Sequence, residues 1–194
     1  MKAVLFLLFT IGISMIVFPA VEAAQTRDYL TDDEIELVRD AQQIDDRVAV
    51  LTHAIDRRLE LLKIEALPPK KESDRWGAMP KGTRLQLLID VKRILQKAVD
   101  DIDNLADRPD SIVVDTAVKK PKGYAELFPK AVRILASAAT RYKPELGAEL
   151  SKTKDTAETS IIMGTMDLCD EISASVTKLP ADQTQTTQKT GKKH

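Results

Sequence analysis

The sequence predicts an all-α protein, a four-helix bundle or two packed antiparallel helical hairpins, set behind a cleaved signal peptide. Three observations lead there. Apolar residues recur at steps of three and four over long segments, the spacing that lines one face of a helix. Prolines fall mostly between those segments. The apolar vocabulary after residue 23 is Leu, Ile, Val and Ala, with Tyr29, Trp76, Tyr124, Phe128 and Tyr142 as the aromatics. At 194 residues, 43% hydrophobic and 30% charged, the chain is sized for one modest globular domain.

Residues 1–23 read as a secretory signal peptide. Met1 and Lys2 give a short positive start, Ala3 to Phe18 an apolar run, and Val21-Glu22-Ala23 a peptidase-type triplet, predicting cleavage after Ala23. The competing reading is a retained anchor, since Ala3 to Val21 almost matches a bilayer. Gly12, Ser14 and the Pro19 break favour cleavage. No later segment is apolar enough to cross a membrane, so the expectation is an exported protein, periplasmic or secreted.

The first predicted helix opens at Thr31. Thr31 and Glu34 have the spacing of a capping box, in which the hydroxyl accepts from the third backbone N–H and the carboxylate reaches back. Its stripe runs Leu37, Ala41, Ile44, Val48, Leu51, Ile55, Leu59, Leu62, one continuous helix stopped by Pro68-Pro69. The second starts near Thr83, carries Leu88, Val91, Leu95, Ala98, Ile102 and Leu105, and ends before Pro109. Leu87, Ile94 and Val99 widen its stripe, predicting two neighbours. The core should pair Ile44, Val48, Leu51, Ile55 and Leu62 with Leu88, Leu95 and Ile102 of an antiparallel partner. The third spans about 124–142, with Pro129 marking a kink or a fresh start. The fourth spans about 151–178, with Ala157, Ile161, Leu168, Ile172, Val176 and Leu179 in register. Gly164 weakens its middle by roughly 1 kcal/mol relative to Ala. The run 112–114 reads as an extended connector. The domain organisation predicted is a signal peptide at 1–23, a helical bundle domain at 24–179 and a disordered polar tail at 180–194.

Composition narrows the chemistry. Lys+Arg total 29 against Asp+Glu 30, a net charge of -1, which lacks the surplus a nucleic-acid binder carries. One cysteine and two histidines leave no disulfide framework and no multi-cysteine zinc site. Haem attachment, di-iron Glu-x-x-His, Gly-x-Ser-x-Gly and phosphate-loop patterns are absent. The expectation is therefore a non-enzymatic protein with no catalytic residue, no metal site and no cofactor. His53 lies off the centre of its stripe and is expected in solvent. Asp100, Asp101, Asp103, Asp107 and Asp110 fail the calcium-loop pattern at Leu105 and Ile112, and read as a solvated acidic face. Cys169, beside Leu168, is expected to be buried without Lys, Arg or His nearby, and Met163 and Met166 to fill core.

Some of these residues carry a family resemblance. Leu30-Thr31-Asp32-Asp33-Glu34, Val38 to Gln42, Arg47 and Arg57-Arg58-Leu59 are its first part. Asp101 to Arg108 and the tract from Lys119 through Phe128-Pro129 extend it. With these features the chain resembles an uncharacterised group of exported, all-helical bacterial proteins with no assigned activity. The resemblance implies export and helical structure and supplies no functional residues. Leu-Thr-x-x-Glu is also similar to the Leu-Thr-x-x-Gln helix starts of small periplasmic chaperones, but the capping box alone explains it.

The function expected is an interaction or structural module of the cell envelope, working with an envelope protein partner. Its candidate contacts are Trp76, in the long connection 65–81, and the lysines Lys119, Lys120 and Lys122. The alternative is a ligand- or metal-binding helical bundle in the periplasm. The competing reading of Trp76, and the one preferred, is a cover over the end of the bundle.

Overall fold

A computed structural model describes residues 27–64, 73–108 and 123–179. The signal segment, Pro68-Pro69, Asp110, the 112–114 run, Lys119, Lys120, Lys122 and the tail 180–194 lie outside the described residues. Within them the chain is all-helical, with no strand: α1 (Asp32–Asp40), α2 (Ile44–Leu61), α3 (Arg84–Asp107), α4 (Tyr124–Leu150) and α5 (Thr156–Ser175). One-turn 3-10 helices occupy Asp74–Trp76 and Val176–Lys178.

The single long first helix of the sequence reading is two helices. Thr31 does close a capping box with Glu34, its hydroxyl accepting from the Glu34 N–H at 3.3 Å and the Glu34 carboxylate from the Thr31 N–H at 2.9 Å. The helix then stops at Asp40. Ala41 leaves helical geometry (ψ 85°) and Gln43 is extended. Side chains stabilise the break: Gln42 donates to the Arg39 carbonyl and Arg47 to the Ala41 carbonyl, each at 3.1 Å. Leu37 and Ile44 are both buried, so the stripe survives a bend that the spacing alone could not show. Asp45 and Asp46 in the first turn of α2 are the visible trace of the restart.

Prolines do not end α2 either. Lys63 takes a left-handed conformation (φ 59°), the Lys63 N–H donates to the Glu60 carbonyl, and the Ile64 N–H donates to the Leu59 carbonyl at 2.8 Å. This is a Schellman cap, with Ile64 buried as its apolar contact. α3 begins with a second capping box, Thr83 with Gln86. α4 runs well past Tyr142 to Leu150 and holds both Pro129 and Pro144 in its interior. Neither proline marks a fresh start, although each has no N–H to give to the carbonyl four residues earlier. α5 starts later than expected, where Asp155 accepts from the Ala157 and Glu158 N–H groups.

Side-chain bonds give the helix directions. Lys130 meets Asp45, and Tyr142 and Arg141 meet Asp56, so α2 and α4 run the same way. Lys143 meets Asp170 and Thr140 meets Ser173, so α4 and α5 are antiparallel. Arg84 at the start of α3 joins Glu149 at the end of α4 and Glu158 at the start of α5. α3 is therefore parallel to α5 and antiparallel to α2 and α4. One core forms between α2, α3, α4 and α5, including Ile44, Val48, Leu51, Ile55, Leu62, Leu88, Leu95 and Ile102 as expected. α1 packs on α2 and on the 74–76 turn.

Two smaller expectations change. Met163 is among the exposed large hydrophobic residues, 52% accessible, whereas Met166 packs against the core. Gly164 has a packing role: a Cβ there would stand 2.6 Å from the Lys92 amine, so the missing side chain admits Lys92 from α3.

Candidate functional site: a buried arginine–carboxylate cluster

The sequence reading singled out no group of interacting charges, yet the structure buries one. Glu34, Arg57, Arg58 and Asp90 are each at most 3% accessible. Glu34 is the third residue of α1, which aims its carboxylate at the end of α2. Arg57 and Arg58 are consecutive on α2, yet both reach it because α1 lies across that end. The Glu34 Oε1 accepts from Arg57 Nη1 at 2.7 Å and from Arg58 Nη1 at 2.9 Å. Its Oε2 accepts from Arg58 Nη2 at 2.8 Å and from the Thr31 N–H at 2.9 Å.

The arginines extend these links to three other stretches of chain. Arg58 donates to the carbonyls of Tyr29 (2.6 Å) and Ala54 (2.7 Å), and its Nε lies 3.7 Å from Asp90 on α3. Arg57 Nη2 donates to the carbonyls of Ala78 (2.9 Å) and Gly77 (3.3 Å). Arg27, itself exposed, pairs with Asp90 and donates to the Lys81 carbonyl at 2.9 Å. Burial pushes the Asp90 carboxyl upward, and Arg27, Arg58 and Arg93 only partly offset this, so its pKa is raised. Burial also opposes ionisation of Glu34. There the hydrogen bonds and charge of Arg58, the Thr31 N–H and Arg57 prevail, and the pKa is lowered.

Trp76 sits beside this cluster. It is half-buried, with its ring 4.2 Å from the His53 ring in an edge-on contact and 5.5 Å from the Arg57 guanidinium carbon. His53, expected in solvent, is therefore partly covered, because the 73–83 segment folds back over α2. Gly77 follows with φ 58°, and a Cβ there would stand 1.8 Å from an Asp33 oxygen. Only glycine fits that conformation and that approach.

The chemistry of this arrangement is cohesive. Each Glu34 oxygen already accepts two hydrogen bonds, and a carboxylate with a lowered pKa and engaged lone pairs is a poor general base. Among the described residues no group of three or more His, Cys, Asp or Glu side chains could hold a metal ion. The acidic residues at the end of α3 are engaged locally, Asp101 with Lys97 at 3.1 Å and Asp100 with Gln96 at 2.9 Å. A second buried polar group lies deeper in the core: the Tyr142 hydroxyl, 3.0 Å from the Thr52 carbonyl and 2.9 Å from Asp56. Burial and the Asp56 charge push the Tyr142 pKa well above its ordinary value.

Cys169 is fully buried, and burial, reinforced by Asp170, pushes its thiol up to about 12. Lys143 opposes this weakly, so the expectation of no cation nearby is corrected: Lys143 is drawn in by its ion pair with Asp170. No helix among the described residues is long and apolar enough to cross a membrane.

A sequence signal for the cluster did exist. Arg58 falls on the buried face that Leu51, Ile55 and Leu62 define, and Asp90 falls among Leu87, Val91 and Ile94. A charge inside an apolar stripe needs a partner inside as well. The partner's identity is a tertiary fact. Comparison with known proteins returns no matching family, no similar curated protein and no similar solved structure.

Proposed function

We propose that the chain is a non-enzymatic exported protein, an interaction or structural module of the cell envelope, and that its long helices form an up-down-up-down four-helix bundle behind a cleaved signal peptide. The observation that carries this reading is the use of the buried charges: Glu34, Asp90, Arg57 and Arg58 bind one another and the backbone. A site built for a substrate or metal holds some polar groups ready for it. Here the largest buried polar cluster joins five stretches of the protein's own chain. The regular capping and the apolar core between α2 and α5 support the same reading, as does the peptidase-type triplet ending at Ala23. The lysine tract Lys119, Lys120, Lys122 is the remaining candidate contact, and Trp76 serves chiefly to cover α2.

Native mass spectrometry and elemental analysis of protein purified from its export compartment test this. The expected result is a chain beginning at Ala24, free of stoichiometric metal or organic ligand, with no thermal shift against a metal and metabolite panel. A bound cofactor would overturn the proposal in favour of a ligand- or metal-binding bundle. An intact chain beginning at Met1 would overturn the cleavage.

A further inference from the structure

We propose that α1 and the 73–83 segment form one releasable layer, latched to the α2–α5 body through Arg57, which opens as a unit while that body stays folded. The layer has little apolar adhesion of its own. Leu37, 9% accessible, is the buried apolar side chain of α1, with Ile35 and Val38 partly covered, and the 73–83 segment contributes only Pro80, buried, and Trp76, partly covered. Polar contacts do the holding. Arg57 divides its two terminal nitrogens between the halves of the layer, Nη1 to Glu34 of α1 and Nη2 to the Gly77 and Ala78 carbonyls.

The two halves are also tied to each other. Arg75 pairs with Asp40, and Gly77 lies against Asp33 at a distance no larger residue permits. The non-helical residues between α1 and α2 leave α1 free to swing without unwinding α2. A segment with few buried apolar contacts opens at a free energy below that of global unfolding. Opening would bare Arg57, Arg58 and His53 along one end of α2 while leaving the core of α2–α5 intact.

Hydrogen exchange followed residue by residue by NMR, under conditions that report opening equilibria, tests this in the intact mature protein. The Ile35 and Ala41 amides, bonded within α1, and the Trp76 and Gly77 amides, bonded within the turn, should share one opening equilibrium. That equilibrium should lie above those of residues 91–98 and 131–142. Arg57→Lys keeps the charge but loses the forked donor. It should speed exchange of both segments by the same factor, about tenfold or more, which is the loss of at least one charge-assisted hydrogen bond, and leave the body unchanged. Arg75→Ala removes only an exposed pair and should give a smaller rise, again equal in the two segments. Unequal protection in the wild type, a rise confined to one segment, or acceleration of the body amides in step with the layer would each overturn the proposal.

Discussion

Replacing Glu34 with Gln removes one negative charge from the centre of the cluster while preserving side-chain shape. The carboxylate accepts four hydrogen bonds, from Arg57, twice from Arg58, and from the Thr31 N–H. A glutamine offers one oxygen and one NH2. Whichever way the amide is turned, two of the four contacts then set donor against donor. Two buried guanidinium groups also lose their shared counter-charge. Breaking a buried pair from one side costs about 3–5 kcal/mol, because the remaining charge stays desolvated. Set against a total stability of roughly 5–15 kcal/mol, that is a large fraction.

Urea unfolding followed by circular dichroism measures the change, with a lower midpoint and an unaltered slope expected. The loss should also depend on pH. The folded-state pKa of Glu34 is depressed, so its contribution is complete above the unfolded value near 4.5 and is lost as pH falls through the folded value. The stability gap between wild type and Glu34→Gln should therefore be constant at neutral pH and close in acid. Asp90 acts in the opposite sense. Its raised pKa makes its ionised form a stability cost at neutral pH, relieved as pH falls through that value. A loss below about 1 kcal/mol with α1 still protected from exchange, or a gap that widens in acid, would refute the reasoning.

Other replacements probe single features. Cys169→Ser buries a hydroxyl where a sulfur packed and should cost about 1–3 kcal/mol; a thiol held at about 12 should react slowly with a disulfide reagent at pH 8 unless the protein is unfolded first. Thr83→Ala removes the cap of α3 and should lower stability by about 1 kcal/mol, read by thermal denaturation. Gly77→Ala meets both a left-handed backbone and the Asp33 carboxylate, so it should cost about 1–3 kcal/mol. Combining it with Asp33→Ala should recover the part due to the clash and leave the part due to φ, which a double-mutant cycle separates.

How much was legible follows from how local each determinant is. The Thr31 capping box, the start of α3 and the apolar faces of α2 and α3 depend on neighbours within a turn or two, and the spacing shows them directly. The break at Ala41 to Gln43 and the cap at Lys63 carry no Gly or Pro and so leave no local mark: the stripe continues across the first, and a lysine stands where glycine is usual in the second. The cover over His53 is not legible locally, because the segment that supplies it begins some twenty residues along the chain. Met163 and the Lys92–Gly164 contact likewise depend on which neighbour arrives.

The sequence by itself determined the helical class, most helix starts and the apolar set of the core, because these arise from periodicities and caps encoded over a few residues. The charges of Arg58 and Asp90 inside apolar stripes are also written in the sequence, but they gain meaning only once their partners are known. Only the tertiary structure decided that Glu34 would serve both its own helix cap and two arginines from another helix, and that the carbonyls of Gly77 and Ala78 would take up the second terminal nitrogen of Arg57. A buried charge is tolerated only where partners from distant stretches converge on it. That convergence is a property of the packed molecule, which no spacing along the chain expresses.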